Sequence, residues 1–388
     1  MSGIVGTNAG RGSGSIGTAS AGPTVSASAP TVSTNAALGT QWANSTTGNF
    51  YILTDDTAGE NVWTNTGSGS ADVVPYVVQG SSYGYCAGGY SWTAPIAGQN
   101  YIDRFCFASG TQNSATVGTM AVLNATGIYT APFGPASTSS SSYGYASGGY
   151  WDPGANDSCE KCQLVATAQS ADIGDMVSGR NTGLGWGNSV YHYSAGGDSV
   201  TPPALTDMIE SIAYSSDAHA DTTVNLIAPR SRGNEFQTLT YGYSVGGRET
   251  TTATAVNIID RYPLATMYAG ADVGDLDAAQ RESGFAVSST TYGYSCGGTT
   301  AVAATKINII YKCQLVATAS GVDHGDIGGT WYNFGSSYAT TSGYGFGHEA
   351  SSSTGSNIIT ELVYASDTTT HDNGDLTQAR MGSAGWQI

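Results

Sequence analysis

The chain has 388 residues, of which only 11% are charged and 54 are glycine, and its formal net charge is −17. Low charge with many small residues is typical of tightly turned β-structure and argues against a helical protein. Nucleic acid and membrane insertion are excluded as interactions, because the chain lacks basic patches and any apolar run of membrane-spanning length. No signal peptide is evident, so we expect synthesis in a cytoplasm.

Residues 1–45 differ in composition from the rest of the chain. They are rich in Gly, Ser, Ala and Thr and carry a single charge, Arg11. Such a segment buries too little apolar surface to fold alone. We interpret it as an arm that is either a flexible linker or becomes ordered on a partner, and we expect residues 46–388 to form one β domain.

A seven-residue motif, Tyr-Gly-Tyr-x-x-Gly-Gly, first appears at Tyr83. Its copies follow at intervals of 48 to 60 residues, starting at Tyr143, Tyr191, Tyr241, Tyr292 and, in the decayed form YGFGHEA, Tyr344. Each repeat also contains short β-rich segments separated by Gly, Asp and Thr turns. A period near fifty with this content predicts an all-β propeller of four-stranded blades.

The motif itself is interpreted as scaffolding. Its Gly-Gly pair permits positive φ where strands crowd together. Its two tyrosines share one strand face, where each buries a ring with a polar tip. In the sixth copy Glu349 and Ala350 replace the glycines, so we expect an ordinary turn there.

The middle strand of each repeat supports the same architecture. Its sixth and eighth positions are apolar in every copy, as at Tyr262 and Leu264. A period of two places both positions on one face, which we predict to pack against the neighbouring blade.

The number of blades depends on the two ends of the domain. The segment after Arg380 resembles a first strand, and the segments 49–56 and 60–66 resemble degenerate second and third strands. Pairing between these ends would remove the open edge of a propeller. Seven blades, with the seventh shared between the ends, are therefore favoured, and six blades with an additional N-terminal piece are the alternative.

Three patterns in the sequence are candidate chemical sites. Cys159 and Cys162 lie three apart on a predicted strand, so they face opposite ways and are interpreted as core residues, not zinc ligands. A Gly-Asp turn recurs four times, and the arginines after it are expected to bridge to the adjoining blade. Those arginines are Arg180, Arg281 and Arg380. The five histidines occupy different repeat positions, so we expect no catalytic residues, no metal site and no cofactor.

One group of aromatic residues is a candidate binding surface. It lies in the long first repeat and at the start of the second, and it comprises Trp92, Tyr101, Tyr129, Phe133, Tyr150 and Trp151. Exposed aromatic rings of this kind stack on sugar rings, but they also suit packing between blades.

The repeats resemble kelch-type β-propellers over roughly residues 46–388, although they lack the regular Trp near the end of each blade. Strings such as NIIDRYPLAT and VGDLDAAQRESGFAVSSTTYGYSCGG are similar to kelch-like virion proteins of tailed phages, often from marine and cyanobacterial hosts. The opening MSGIVGTNAGRGSGSIG is similar to N-terminal segments of structural proteins from the same phages.

The resemblance implies a non-enzymatic virion protein of a tail fibre, a tail appendage or a capsid-associated knob. Residues 1–45 would contact other virion proteins, the propeller would bind a host-surface glycan or another subunit, and the protein would be a homo-oligomer. Two alternatives remain: a carbohydrate-active enzyme on a sialidase-like or kelch-oxidase-like propeller, and an intracellular kelch protein-interaction module.

Overall fold

The protein is all-β, as the sequence predicts. A computed structural model describes residues 22–66, 76–91, 97–108, 113–121, 134–151, 154–166, 169–200, 203–249, 254–266, 269–282, 284–300, 305–315, 320–349 and 355–388. These residues form β-strands and turns, with one short 3₁₀ helix at Tyr364–Ser366. The chain divides into two compact units, Met1–Pro75 and Tyr76–Ile388.

The N-terminal unit has its own sheet and core. Its strands are, in sheet order, Thr24–Ser26, Gln41–Asn44, Phe50–Asp55 and Val62–Asn65, and the first two pair in parallel. Tyr51, Leu53 and Trp63 are buried between this sheet and its connections. The domain boundary therefore falls after Pro75 and not at residue 45, because the second and third strands pair across residue 45. Residues 1–21 of the expected arm lie outside the described residues.

The described residues of the second unit, called the ring unit, form four separate four-stranded antiparallel sheets and one nine-stranded sheet, which consists of two four-stranded antiparallel sets joined at their fourth strands and one short strand, Thr299–Thr300. We number the four sheets and the two sets together as sheets 1 to 6. Sheet 1 consists of Ala384–Gln387, Tyr83–Ala87, Tyr101–Cys106 and Ala115–Thr119, and sheet 2 of Ala136–Ser139, Tyr143–Ser147, Ser158–Gln163 and Ala171–Asp175. Sheet 3 consists of Leu184–Gly187, Tyr191–Ala195, Met208–Ala213 and His219–Asn225, and sheet 4 of Asn234–Gln237, Tyr241–Val245, Val256–Pro263 and Ala271–Glu282. Sheet 5 consists of Phe285–Ser288, Tyr292–Cys296, Ile309–Gln314 and Gly321–Asp326, and sheet 6 of Gly335–Tyr338, Ser342–Phe346, Ser356–Val363 and His371–Arg380.

The first strands of the six sheets enclose a central channel. Each first strand contacts the first strand of the next sheet in chain order, and that of sheet 6 contacts that of sheet 1. The fourth strands of sheets 4 and 5 also meet, through the parallel bridge between Leu276 and Gly321, so eight strands form one continuous path. The contacts between first strands thus form a closed cycle.

The C-terminal strand completes sheet 1. Ala384–Gln387 pairs antiparallel with Tyr83–Ala87. The expected pairing with segments 49–56 and 60–66 is wrong, because those segments belong to the N-terminal unit. The position of the strand is fixed by Trp386, whose ring would lie 2.2 Å from a Cβ added at Gly144 of sheet 2.

The glycine inside Tyr-Gly-Tyr allows neighbouring sheets to approach closely. Added Cβ atoms at Gly242 and Gly293 would lie within 2.5 Å of the rings of Trp186 and Phe236, which are on the preceding sheet. In sheet 3 His192 replaces this glycine, and the facing position on sheet 2 holds the smaller Thr138 in place of Trp186. A larger residue on one side of this interface is therefore matched by a smaller residue on the other side, as close packing requires.

The two tyrosines of the motif have different roles. The second is buried in every sheet and packs between neighbouring sheets; the Tyr193 and Tyr243 hydroxyls donate hydrogen bonds of 3.0 and 2.8 Å to carbonyls of the next sheet. The first is partly exposed and lies under a cation of the third strand, in four sheets at 4.2–4.5 Å. The pairs are Tyr83 with Arg104, Tyr143 with Lys161, Tyr241 with Arg261 and Tyr292 with Lys312.

The Gly-Gly prediction is confirmed, since both glycines have positive φ in the five full copies, as at Gly246 and Gly247. In the sixth copy the predicted alignment is wrong by two residues. Ser342, not Tyr344, pairs with the third strand at the position equivalent to Tyr241. Gly347 and His348 therefore replace the Gly-Gly pair, and Gly347 keeps a φ of 58°.

The third strands pack as predicted. Tyr262 and Leu264 of sheet 4 lie in one buried cluster with Trp186 and Tyr193 of sheet 3. Cys159 and Cys162 are buried free thiols in two different clusters, which confirms that they face opposite ways.

Arginines at or just after the ends of fourth strands bridge to the neighbouring sheet. Arg380 lies 2.7 Å from Asp103 of sheet 1, and both side chains are fully buried. Arg180 makes a similar buried pair with Glu210, and Arg230 lies 2.9 Å from Asp260. In sheet 4 the bridging position holds Gln280, not Arg281. The Gly-Asp sequences themselves lie in fourth strands at β-bulges, as at Gly274, and are not turns.

Candidate binding site at the mouth of the central channel

Two sets of loops share one end of the six sheets. Because neighbouring strands are antiparallel, the loops from second to third strands lie at the same end as the loops from each fourth strand to the next first strand. We call this end the mouth face. Three of its loops contain short hairpins: Tyr90–Ser91 with Ala97–Gly98, Tyr150–Trp151 with Gly154–Ala155, and Asp198–Val200 with Pro203–Leu205.

The predicted aromatic residues fall partly on this face. Tyr150 is 36% exposed and belongs to the sheet 2 hairpin, where Trp151 pairs with Gly154. Tyr101 is partly buried at the start of a third strand. Trp92, Tyr129 and Phe133 lie outside the described residues. Sugar stacking by these residues stays a prediction.

Backbone hydrogen bonds run from sheet to sheet around the mouth. Thr182 N–H donates to the Gly134 carbonyl at 2.7 Å, and Arg232 N–H donates to the Thr182 carbonyl at 3.1 Å. Gly134 N–H donates to Gly382 and Gly382 N–H donates to Asn333, both at 2.8 Å. All five residues have φ between 52° and 64°. The left-handed backbone at this position thus links successive sheets head to tail.

Three of these left-handed residues are not glycine. Thr182, Arg232 and Asn333 have φ of 52°, 54° and 58°. Positive φ is unusual for any side chain and is especially costly for a β-branched residue such as Thr182. Their side chains line a cavity of about 60 Å³ at the mouth. The mouth therefore carries different side chains in different repeats, unlike the interfaces between sheets.

Charged side chains lie along one part of the mouth face. Arg232 is 3.1 Å from Glu282 and 3.5 Å from Asp198, and Asp198 also pairs with Arg248. Arg248 in turn donates to the Ser231 hydroxyl at 3.1 Å. Because each cation already has an acidic partner, this network orders the loops and adds little net charge.

Inside the mouth, the second residue of each first strand borders the channel. These residues are Ser137, Gly185, Glu235, Ala286, Ser336 and Gly385. Glu235 is the acidic member of the set. Although its side chain borders the cavity, protein surrounds it, and this burial raises the pKa of the carboxyl to about 8, opposed only by a hydrogen bond from its own backbone N–H. Burial, which disfavours the charged form, is therefore the main influence on this carboxyl.

The other end of the channel is closed by the first residues of the ring unit. The Tyr76 hydroxyl accepts a 3.0 Å hydrogen bond from Gln237, and burial raises its pKa to about 12. Gln387 donates to the Val78 carbonyl at 2.9 Å, and Gln79 donates to the Ser288 carbonyl at 3.2 Å. We call Tyr76–Gly80 the plug. With the plug in place, the mouth is the entrance to the channel.

A wider cleft of about 450 Å³ lies on the face opposite the mouth, between sheets 4 and 5. Turn residues such as Leu239 and Thr290 line it, together with Val78 of the plug. The mouth remains the better candidate, because there the six repeats converge with different polar side chains.

Burial makes several thiols and two imidazoles of the ring unit unreactive. Burial raises the pKa of Cys86 to about 11 and that of Cys159, Cys162 and Cys313 to about 12. Burial lowers the pKa of His192 and His348 to about 3. Thiols that stay protonated are poor nucleophiles, and these neutral imidazoles are weak bases.

Within the described ranges, no three His, Cys, Asp or Glu side chains come together in a way suited to a metal ion. Likewise, no helix among the described elements is long and apolar enough to cross a membrane. The sequence matches no protein-family model and no curated protein.

Proposed function

We propose that the ring unit is a six-bladed β-propeller. Six four-stranded antiparallel sheets, the cyclic contacts of their first strands and the repeat of about fifty residues support this assignment. Completion of sheet 1 by the C-terminal strand supports it too, since propellers commonly close in this way. This assignment agrees with the sequence alternative of six blades with an additional N-terminal piece, and not with the favoured seven blades.

The protein is a non-enzymatic structural protein of a phage virion. The N-terminal unit attaches it to other virion proteins, and the propeller presents its mouth face to a host-surface glycan or another subunit. One observation carries the proposal: the chain forms two separate compact units, each with its own sheet and buried core. One unit can therefore be fixed to the particle while the other binds. The virion setting itself rests on the resemblance of the repeats and of the opening segment.

Binding rather than catalysis is supported by the chemistry of the described side chains. The buried thiols are held protonated and His192 and His348 are held neutral. The mouth face instead offers hydrogen-bonding groups around a cavity and the partly exposed ring of Tyr150. Such a surface suits a polyhydroxylated ligand. Homo-oligomers would add avidity to weak individual contacts.

The test is a deletion of residues 1–75 in the phage that encodes the protein. The truncated chain keeps the whole ring unit, so we expect it to remain folded and soluble but to be absent from purified particles by mass spectrometry. Incorporation at the wild-type level would contradict the attachment role. Release of sugar from host polysaccharide by the purified full-length protein would contradict the non-enzymatic role.

A further inference from the structure

We propose that the cleft between sheets 4 and 5 binds a sugar that carries a carboxylate, such as a hexuronic acid, and that the Arg261 guanidinium holds this carboxylate. The inference goes beyond the proposed function, because it assigns a ligand class to the face opposite the mouth and does not depend on the virion setting. The cleft has a volume of about 450 Å³, which lies within the range of about 300–1,000 Å³ that is usual for small-molecule sites.

Two cations equivalent to Arg261 each pair with a carboxylate of the next sheet. The Lys161 ammonium of sheet 2 lies 2.9 Å from Asp217 of sheet 3, and the Lys312 ammonium of sheet 5 lies 2.5 Å from Asp367 of sheet 6. All three cations occupy the same register position, opposite the second tyrosine of the motif, and all three cover the first tyrosine. A carboxylate beside this cation is therefore a recurring part of the repeat.

Among the described residues, Arg261 has no such carboxylate. Residues 315–320, which follow the third strand of sheet 5, contain no acidic residue in the sequence. Within the described part of the chain Arg261 forms no ion pair, unlike Lys161 and Lys312. Its guanidinium hydrogen-bonds the Tyr243 hydroxyl, a neutral group that leaves the positive charge unmatched. A ligand carboxylate can therefore take the place that an Asp side chain holds at the other two interfaces.

A single guanidinium favours a carboxylate over other anions. Arginine presents five N–H donors in a planar fork, which matches a carboxylate in a bidentate pair. Among the described residues that line the cleft, Arg261 is the one charged side chain. One positive charge balances a carboxylate but only part of a phosphate monoester, which carries about −1.5 to −2 at pH 7. The ligand that fits is therefore a monoanion.

The remaining walls of the cleft suit a sugar ring. Leu239, which is 55% exposed, and the buried Leu315 provide apolar surface. Thr240 and Thr290 are exposed and line the same cleft, so two hydroxyls border the ligand position. Sites of this kind orient a ligand through a few polar groups set in apolar surroundings. A neutral sugar would use the same walls but would leave Arg261 unpaired, so the carboxylate decides which sugar binds.

The experiment is a ligand-observed NMR titration of the full-length protein with the methyl glycosides of glucuronic and galacturonic acid, at constant ionic strength. We expect saturable binding of at least one of them, and binding of the matching neutral methyl glycoside that is weaker by about tenfold or more. Arg261→Gln should weaken binding of the acidic sugar by about tenfold or more. The control Arg104→Gln removes the equivalent cation of sheet 1, which covers Tyr83 at 4.5 Å but does not line the cleft, and should bind like wild type.

A second variant separates loss of binding from misfolding. Thr290→Asp leaves Arg261 in place and adds a carboxylate to the cleft, and because Thr290 is exposed, the melting temperature should stay within about two degrees of wild type. It should weaken binding of the acidic sugar by about tenfold or more, whereas the uncharged Thr290→Asn should weaken it by less than about threefold.

Three results would overturn the proposal: equal weakening by Arg261→Gln and Arg104→Gln, equal affinity for the acidic and the neutral sugar, or no binding of either acidic sugar up to about 50 mM. Inorganic sulfate, tested at the same ionic strength, should bind more weakly than the acidic sugar. Equal affinity for sulfate would overturn the assignment to a sugar.

Discussion

The interfaces between sheets and the mouth of the channel are built from the same repeats but follow opposite rules. At the interfaces, every repeat supplies a buried tyrosine and an apolar third strand, and three repeats place a glycine under an aromatic ring of the preceding sheet. At the mouth, equivalent positions hold Gly134, Thr182, Arg232, Asn333 and Gly382. Regular interfaces maintain the ring, and the varied mouth gives it a specific surface. Substitutions in the interfaces should therefore cost much more stability than substitutions at the mouth.

The largest effect is expected from a buried ion pair between sheets. Arg380→Met leaves the Asp103 carboxylate without the cation 2.7 Å away, and both side chains are fully buried. We expect a loss of about 3–5 kcal/mol in the free energy of unfolding, measured by urea denaturation. The control Lys161→Met removes a partly exposed cation 2.9 Å from Asp217 and should cost at most about 1 kcal/mol. Equal losses of stability in the two variants would contradict the conclusion that the buried ion pair between sheets matters more than the partly exposed one.

The glycine of the motif should be nearly as sensitive. Gly242→Ala places a Cβ about 2.5 Å from the ring of Trp186, so sheets 3 and 4 must separate or the ring must move. Overpacking of this kind costs about 1–3 kcal/mol. Gly328 is exposed, and a Cβ there would lie 3.6 Å from its nearest neighbour. Gly328→Ala should therefore leave thermal stability almost unchanged, and a comparable loss in both variants would show that close approach is not the cause.

The buried imidazole between sheets 2 and 3 should make stability depend on pH. The His192 Nε2 atom lies 2.8 Å from the Ser147 hydroxyl, and burial, with the charges of His219 and Arg180, lowers its pKa to about 3. In the unfolded chain the pKa is about 6.5, so below this pH only the unfolded state binds the proton. Stability should be full above pH 6.5 and fall as the pH drops, by up to roughly 1.4 kcal/mol per unit.

The matched variant for this effect is His192→Asn. It should be less stable than wild type at pH 7.5, but the difference should narrow by about 1–3 kcal/mol at pH 4.5. The stability of the variant should still fall as the pH drops, in part because the pKa of His348 is also about 3. Parallel stability curves for the two proteins would mean that His192 is not held neutral.

The smallest effect is expected at the mouth, and it should be an increase in stability. Thr182→Gly removes a β-branched side chain from a residue whose φ is 52°, and with it the steric strain of that conformation. After the entropic cost of glycine in the unfolded chain, we expect a gain of about 0.5–1 kcal/mol. The reverse change, Gly382→Thr, should cost about 1–2 kcal/mol, because Gly382 has a φ of 64°. A loss of stability in Thr182→Gly would show that the side chain, through its hydroxyl bond to the Asn181 carbonyl, outweighs the strain.

The interfaces could be predicted from the sequence because they repeat. Each Gly-Gly pair and each apolar third strand is present in several copies, so a pattern shared by the copies rarely arises by chance. The alternation of apolar and polar residues along each third strand then identifies its buried face. The register of the sixth copy could not be fixed, because SGYGFGH and YGFGHEA both resemble the motif. Packing decides between them: a Cβ at Gly343 would lie 2.3 Å from Val287 of sheet 5.

The mouth and the channel could not be predicted, because their features do not repeat. Glu235 occupies a position held by Ser, Gly or Ala in the other sheets, so in the sequence it resembles an exposed residue of a β-strand. The hydrogen bonds around the mouth are made by backbone groups, and unrelated side chains occupy those positions. The pairing partner of the C-terminal strand could not be predicted either, because the spacing of the repeats does not show which sheet that strand completes.

The hydrogen bonds around the mouth have an electrical consequence. In a helix the peptide dipoles add along one axis and leave a positive N-terminus that attracts anions. At the mouth, four of the described N–H groups each point to the carbonyl of the preceding sheet, so the dipoles of these peptides follow one another along most of the channel rim. Dipoles arranged in a circle largely cancel along the axis. The backbone of the mouth therefore adds little field along the channel axis, and the electrostatic character of the channel is set by its side chains, Glu235 and Arg232 among them.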